Sequence, residues 1–160
     1  MNSIFDLFKI SIGPSSSHTV GPMSATRNFC ETLVENELLA STNRMRIELF
    51  GSLAYTGKAH GTDKALIIGL LGYTPLTVDT SKISNMINSV QMECSVNIFN
   101  EKEISFDMDK DIVYNTSDKP EFHSNALTFT ALDSNGKNIL SQSYYSIGGG
   151  TILSESDITK

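Results

Sequence analysis

A loop rich in hydroxyl groups precedes the first predicted helix. Residues 13–22 have the sequence Gly-Pro-Ser-Ser-Ser-His-Thr-Val-Gly-Pro, which places four hydroxyls beside the imidazole of His18. Backbone N–H groups and the positive end of a helix dipole would converge there, an arrangement that suits a carboxylate or a phosphate. The alternative is an elaborate helix N-cap, because Ser and Thr are favoured at that position. A cap needs one hydroxyl rather than four, so the composition favours a binding loop.

Residues 51–63 hold a second polar group, with Gly-Ser-Leu at its start and Gly-Lys-Ala-His-Gly-Thr-Asp at its end. Flanking glycines let a backbone approach a ligand closely. Lys58 and His60 could hold an anionic group or move a proton, because an imidazole titrates near neutral pH. In the alternative interpretation the end of this segment is a helix cap and the lysine is only solvated.

Two further polar segments lie where predicted strands begin or end. His123-Ser-Asn125 precedes one strand, and residues 144–150, Tyr-Tyr-Ser-Ile-Gly-Gly-Gly, end another. Proteins with α/β folds often place ligands at strand termini. His123 could equally be a surface residue, and the triple glycine a flexible exit toward another domain. All three histidines of the chain lie in such polar clusters, which favours one shared site.

The cysteines and the known short motifs give no metal or nucleotide site. Cys30 and Cys94 are far apart in sequence, so they form neither a disulfide framework nor a Cys-x-x-Cys pair. We interpret them as buried or incidental thiols, because free cysteine often behaves as a small hydrophobic residue. The chain has no Walker loop and no His-Glu-x-x-His sequence. We therefore expect no metal to bind within this chain.

Composition excludes several classes of protein. The 160 residues fit one domain with a true core, and 39% hydrophobic with 19% charged residues is ordinary for a globular chain. A net charge of -6, with twelve scattered basic residues, argues against nucleic acid as a partner. The longest apolar run, residues 65–71, is far shorter than the roughly 20 residues that span a bilayer. We expect a cytoplasmic protein with no membrane partner.

Hydrophobic periodicity predicts the elements that position these residues. A helix is predicted over Gly21–Leu39, with Met23, Phe29, Leu33 and Val34 at helical spacing. Arg44–Phe50 alternates as a half-buried strand does. Leu53–Leu71 predicts two short helices joined around His60, because glycines interrupt its pattern. Ser81–Glu93 predicts another helix, with capping residues at 79–81.

The second half of the chain has the pattern of a β-meander. Short strands are predicted over Val96–Phe99 and Glu103–Phe106. Ala126–Leu132 and Asn138–Ser146 predict a hairpin around the turn at 133–136. Residues 107–121 are polar and poorly periodic, so they form either a loop or a weak edge strand. The fold class expected is α+β or α/β, a mixed sheet flanked by helices.

Four stretches resemble the amino-terminal β domain of bacterial iron-sulfur L-serine dehydratases. They are Ser11–Met23, Phe50–Asp63, His123–Asn125 and Tyr144–Gly150. The resemblance covers nearly the whole chain, and the first two motifs are long enough to be specific. Ala59 departs from the family, which more commonly has glycine there, and we expect this small residue to be tolerated.

The resemblance implies a fold, a cofactor and a reaction. The fold would be similar to the allosteric substrate-binding domain of D-3-phosphoglycerate dehydrogenase, with residues 1–160 as a single β domain. A carboxy-terminal catalytic domain, absent from this chain, would hold a four-iron four-sulfur cluster. The complete enzyme would convert L-serine to pyruvate and ammonia as a homodimer. This domain alone would be inactive.

Residue roles follow when this chemistry is placed on the matching motifs. His60 is the first candidate for proton transfer and His123 the second. The serines of the first loop and Lys58 would bind the substrate carboxylate, and Asn125 with Ser146 would orient the substrate or the partner domain. The candidate substrate-binding residues are Ser15, Ser16, Ser17, His18, Lys58, Thr62, Asp63, Asn125 and Ser146.

Two other roles stay open at this point. The domain could be a serine-sensing regulatory module that modulates the enzyme without touching the reacting molecule. It could also be a structural or dimerisation domain. Convergence of the three histidines on one cleft would favour a composite active site, and their dispersal would favour the other interpretations.

Overall fold

The structure, a computed structural model, describes residues 12–13 and 15–158 and contains the mixed sheet flanked by helices that the sequence predicts. Ser11 and Pro14 of the first motif lie outside the described residues. The helices are α1 (Val20–Glu35), α2 (Gly51–Thr56), α3 (Thr62–Leu70), α4 (Ile83–Glu93), α5 (Met108–Asp111) and α6 (Glu155–Ile158). The strands are β1 (Arg44–Phe50), β2 (Ser95–Ile98), β3 (Lys102–Ser105), β4 (Ile112–Asn115), β5 (Asn125–Leu132), β6 (Asn138–Gly148) and β7 (Thr151–Ser154).

β1 lies near the middle of the sheet, whose strand order is β2-β3-β1-β5-β6-β7. It runs antiparallel to β5 along its whole length, from the pair Arg44 with Leu132 to the pair Phe50 with Ala126. On its other edge β1 is parallel first to β3 and then to β4, with α5 between those two strands. The end of β1 and the start of β5 therefore lie side by side.

The core lies between one face of this sheet and the helices. Met45, Ile47 and Leu49 alternate along β1 and are fully buried, as the sequence pattern predicts. Phe129 of β5 pairs with Ile47 and extends the same apolar face. Burying one such side chain contributes about 1.5–3 kcal/mol, so this face is the main source of stability.

Helix α1 covers that face with part of its predicted stripe. Met23, Phe29 and Leu33 are buried, and the ring of Phe29 stacks on Phe129 at a centroid distance of 5.3 Å. Val34 lies within the helix, as its spacing predicted, but its side chain is 40% exposed. Successive helical residues are turned by about 100°, which places Val34 to the side of the buried Leu33.

The first helix also ends earlier than the sequence predicts, at Glu35 rather than Leu39. Glu37 adopts the left-handed backbone conformation, with φ of 57°. The N–H of Leu38 then donates to the carbonyl oxygen of Leu33 at 2.8 Å, which closes the helix in the manner of a Schellman motif. Glycine usually occupies that left-handed position, so its absence concealed the helix end from sequence reasoning.

The break predicted around His60 is confirmed, whereas the predicted capping residue Asp79 caps a short 3₁₀ turn and α4 itself begins only at Ile83. α2 ends at Thr56 and α3 begins at Thr62, so His60 lies in the turn between them. Asp79 accepts a hydrogen bond from the N–H of Ser81 at 3.0 Å, at the start of a short 3₁₀ turn that leads into α4.

Residues 107–121, where a loop or a weak edge strand was expected, contain α5 and β4. β4 pairs with the last four residues of β1, so the edge-strand alternative holds for Ile112–Asn115. Burial favours the strand, because Ile112 packs into the hydrophobic core although most of the segment is polar.

The triple glycine forms the turn between β6 and β7. β7 runs antiparallel to β6, with Ser146 paired to Ile152. The chain therefore folds back on the sheet immediately after Gly150, and the alternative of a flexible exit at the glycines is wrong. Within the described residues, no helix has both the length and the apolar composition that crossing a bilayer requires.

Candidate functional site

The site is built where β1 ends beside the start of β5. Gly51, the first residue after β1, has φ of 55°, and a β-carbon there would lie 2.1 Å from the carbonyl oxygen of Ser124. Only glycine fits both the conformation and this close approach. The N–H of Ser52 donates to the same carbonyl at 3.0 Å, and Gly51 forms a bridge with Asn125. The second and third motifs are thus joined through their backbones.

The imidazole of His18 connects the first motif to α2. Its Nδ1 atom lies 2.9 Å from the hydroxyl of Ser17 and 3.3 Å from that of Ser15. Its Nε2 atom lies 3.1 Å from the hydroxyl of Ser52 and 3.0 Å from that of Thr56. We call these five residues together with His60 the histidine cluster.

His60 completes the cluster from the turn between α2 and α3. Its ring lies against the ring of His18, with centroids 4.8 Å apart and planes tilted by 47°. Gly61 follows with φ of 79° and begins α3. His60 is partly exposed, whereas His18 is only 8% exposed. Of the two rings, His60 is therefore the one that a ligand in solvent can reach.

Three buried hydroxyls hold the serine loop in place through its backbone. Thr19 donates to the carbonyl oxygen of Ser15 at 2.7 Å, and Ser146 donates to that of Ser17 at 2.7 Å. Thr62 donates to the carbonyl oxygen of His18. Thr62 and Ser146, both predicted site residues, are fully buried, so their side chains support the loop and are not open to solvent.

The surroundings of His18 favour its neutral form. Burial lowers its pKa below the ordinary value of 6.5, since a desolvated imidazole resists a positive charge. Repulsion from the adjacent His60 lowers the pKa further. The carbonyl of Ser52 acts in the opposite direction by accepting from a protonated ring nitrogen.

The third motif lies next to the cluster. The N–H of Asn125 donates to Nδ1 of His123 at 3.0 Å, so neutral His123 carries its proton on Nε2. The side-chain oxygen of Asn125 is buried and has no hydrogen-bond partner among the described residues. A buried acceptor without a partner carries a penalty of about 1–3 kcal/mol, which a ligand donor would remove.

Three predicted site residues do not take part in the cluster through their side chains. Lys58 is exposed on the turn before His60. Asp63 accepts from the N–H of Lys64 at 2.9 Å at the start of α3. Ser16 contributes its carbonyl oxygen, which accepts from a backbone N–H at the start of α1.

Sequence reasoning assigned no role to Ser52 or Thr56. They are four residues apart on α2, and helix geometry puts such a pair on one face. Two hydroxyls at that spacing, beside the predicted ligand loop, were the signal that could have identified them.

The residues of this chain do not fit an iron-sulfur cluster, which is held by several cysteine thiolates. Cys30 is fully buried in α1 and Cys94 is exposed at the end of α4. Among the described residues, no group of three or more His, Cys, Asp and Glu side chains could hold a metal ion.

The cluster can bind and orient a small polar ligand and exchange a proton at His60. It offers hydroxyls held by a neutral imidazole, an orphan amide oxygen at Asn125 and one accessible ring.

A separate groove of about 760 Å³ opens between α4 and β2, and none of the predicted site residues lines it. The polar groups suited to a ligand therefore lie in the histidine cluster, whereas this groove lies elsewhere on the surface.

Comparison with known proteins gives one consistent result. Residues 3–157 match the model of the family described as serine dehydratase beta chain. The match covers nearly all of the chain, including every segment that builds the histidine cluster.

Individual relatives agree with the family match. The chain is 43% identical to an L-serine dehydratase of Streptomyces coelicolor, over 96% of the chain and 34% of that protein. It is 44% identical to L-serine dehydratase 2 of Escherichia coli, over 97% of the chain and 34% of that protein. An L-serine dehydratase of Haemophilus influenzae is 41% identical, over 100% of the chain and 35% of that protein. The chain thus spans about a third of the length of these curated relatives.

Proposed function

Because the chain belongs to the serine dehydratase beta chain family, we propose that it forms one wall of an L-serine site in an enzyme that converts L-serine to pyruvate and ammonia. The observation that carries this proposal is the contact of His18 with His60, bounded by the hydroxyls of Ser15, Ser17, Ser52 and Thr56. A zwitterionic amino acid needs donors for its carboxylate, acceptors for its ammonium and a group that takes its α proton. The cluster and its neighbours contain all three.

His60 is the residue we assign to proton transfer. It is the accessible member of the histidine pair, and its neighbour is held neutral by burial. Proton transfer by a positioned side chain contributes about 10²–10⁴-fold to a rate. His123 is the second candidate, because its neutral form presents a protonated Nε2 that can donate a proton to a ligand.

The serine loop and Lys58 would bind the carboxylate of the substrate. The hydroxyls of Ser15 and Ser17 are already ordered by His18, so little entropy is lost when they meet a ligand. Lys58 is exposed two residues from His60 and can bring its charge to the same ligand. The orphan oxygen of Asn125 would accept from the substrate ammonium.

The remaining parts of the enzyme are proposed from the family. The curated relatives are about three times as long as the matched region, which leaves room for a carboxy-terminal catalytic domain that would hold the four-iron four-sulfur cluster. We propose that this domain covers the histidine cluster, that the enzyme is a cytoplasmic homodimer, and that this chain alone is inactive. The reaction would then take place between the two domains.

The test uses the complete enzyme, in which this chain works with the cluster-binding part. His60→Gln should lower kcat by at least about 100-fold while the absorbance of the cluster is unchanged. Lys58→Met should raise KM for L-serine about tenfold, as expected for the loss of one charge-assisted contact. Lys64→Met, which removes an exposed lysine six residues away, is the matched control and should change neither constant.

The kinetic pattern separates this proposal from a regulatory role. If the site only sensed serine, His60→Gln would alter cooperativity or a lag phase and leave the limiting rate intact. If the domain were purely structural, the variant would change nothing beyond stability. Either result would overturn the assignment of His60 to proton transfer.

A further inference from the structure

The side chain of Thr56 makes two contacts that bear on which ring nitrogen of His18 carries the proton. Its hydroxyl donates to the carbonyl oxygen of Ser52, four residues earlier on α2, at 2.8 Å. The same oxygen lies 3.0 Å from Nε2 of His18. A hydroxyl has one proton to donate. When that proton goes to Ser52, the oxygen of Thr56 accepts from His18, which then carries its own proton on Nε2.

The groups on the two sides of the imidazole agree with this tautomer. Among the described residues, Nδ1 has the hydroxyls of Ser15 and Ser17 as its partners, and either can donate to it. The carbonyl oxygen of Ser52, which accepts from Thr56, also interacts with the ring. A carbonyl oxygen only accepts, so it favours a protonated nitrogen on its side.

The tautomer determines what the hydroxyl of Ser52 can do. It lies 3.1 Å from Nε2 and, if that nitrogen carries the proton, it accepts from His18 rather than donating. Its own proton then has no acceptor in the part of the chain that the structure describes. Ser52 is partly exposed next to Asn125, so this proton can be donated to a ligand.

We propose that Thr56 is a positioning residue that holds His18 as the Nε2–H tautomer and thereby leaves the Ser52 hydroxyl free to donate to a bound carboxylate. Thr56 touches no substrate in this scheme and acts through His18. The identity of the carboxylate as that of L-serine rests on the proposed function above, whereas the tautomer does not.

Nuclear magnetic resonance of the 160-residue chain tests the tautomer directly. Labelling with ¹⁵N-histidine gives only three imidazoles, and His60→Gln and His123→Gln variants identify the signals of His18. The expected wild-type spectrum at neutral pH shows a protonated Nε2 and an unprotonated Nδ1. A spectrum with the proton on Nδ1 would overturn the proposal.

Two variants of Thr56 complete the test. Thr56→Val keeps the shape and removes the acceptor, so the His18 nitrogens should lose their distinct shifts and move toward a mixture of tautomers. Thr56→Ser restores the hydroxyl and should restore the wild-type pattern. An unchanged pattern in Thr56→Val, with the amide spectrum of the sheet intact, would contradict the role of Thr56. If Thr56→Val fails to fold, the wild-type and Thr56→Ser spectra still decide the tautomer.

Kinetics of the complete enzyme test the consequence for Ser52. Ser52→Ala should raise KM for L-serine about tenfold with a smaller effect on kcat, because a ground-state donor is lost. An unchanged KM would remove Ser52 as a carboxylate donor. If the enzyme did not act on L-serine at all, the proposed function would fail while the spectra of His18 still tested the role of Thr56.

Discussion

The backbone of Gly13 lies against the carbonyl oxygen of His60, so closely that a β-carbon on residue 13 would stand 2.0 Å from that oxygen. The approach is reciprocal, because a β-carbon on Gly61 would stand 2.0 Å from the carbonyl oxygen of Ile12. The segment that leads into the serine loop and the turn that carries His60 therefore touch backbone to backbone. Neither can shift without moving the other.

Gly13→Ala should displace His60. The added methyl group meets backbone rather than a flexible side chain, so overpacking of about 1–3 kcal/mol is expected. The measurement is the free energy of unfolding together with the imidazole resonance of His60. Gly136→Ala, in a hairpin turn where a β-carbon meets nothing within 4 Å, is the control. It should cost stability because φ is 78°, but leave the His60 resonance where it is.

Stability should fall in mildly acidic solution because of His18. Its pKa is below 6.5 in the folded protein, so as the pH drops below 6.5 the unfolded chain binds a proton that the folded chain resists. The free energy of unfolding should therefore decrease between pH 7.5 and pH 5.5, measured by denaturant titration. His18→Gln should show a shallower decrease. Equal slopes in the two proteins would show that His18 is not the group responsible.

Arg44→Met should destabilise the fold by about 1.5–3 kcal/mol. Arg44 donates through both Nε and Nη2, each at 2.8 Å, to one carboxylate oxygen of Asp111, which is only 2% exposed. Without the guanidinium, Asp111 keeps only the N–H of Asp107 at its other oxygen. Arg46→Met removes an exposed arginine from the same face of β1 and should change stability by less than about 0.5 kcal/mol. Urea unfolding of the three proteins gives the comparison.

The two cysteines should react with thiol reagents at very different rates. Cys94 is exposed, whereas Cys30 is fully buried in α1 and its burial raises the pKa of the thiol. Brief alkylation of the folded protein at pH 8 should modify one thiol per chain, and unfolding in urea should make the second available. Mass spectrometry of the Cys94→Ser variant should then show no modification before unfolding. Rapid modification of that variant would mean that α1 opens locally.

Regular patterns made much of the fold predictable. Strand β1 was predicted at the residues where it is observed, because an alternation of charged and apolar side chains is typical of a half-buried strand. The break at His60 was predictable because Gly57 and Gly61 interrupt a helical pattern. β4 was predicted only as one of two alternatives, because whether its short segment forms a strand depends on pairing with β1. That pairing is a long-range contact and leaves no local signal.

The sequence predicted which loops form the candidate site, but it did not predict the hydrogen bonds within it. The polar, glycine-bounded motifs identified His18 and His60, which the structure brings into contact. The assignment of Ser146 to a ligand missed its burial, which follows from the packing of β6 against α1. For Thr56 the sequence offered only its spacing from Ser52, because its role depends on a histidine that lies thirty-eight residues earlier in the chain.

The bridge between Gly51 and Asn125 attaches the site to β1 and β5, which lie side by side in the middle of the sheet. Fraying in proteins begins at sheet borders and chain ends, where few hydrogen bonds must break. Amide protons near Ser52 should consequently exchange with solvent about as slowly as those of the central strands, while β2 and β7 open far more often. A ligand that reaches this surface would therefore bind a preformed site whose geometry is unchanged when the edge strands open locally.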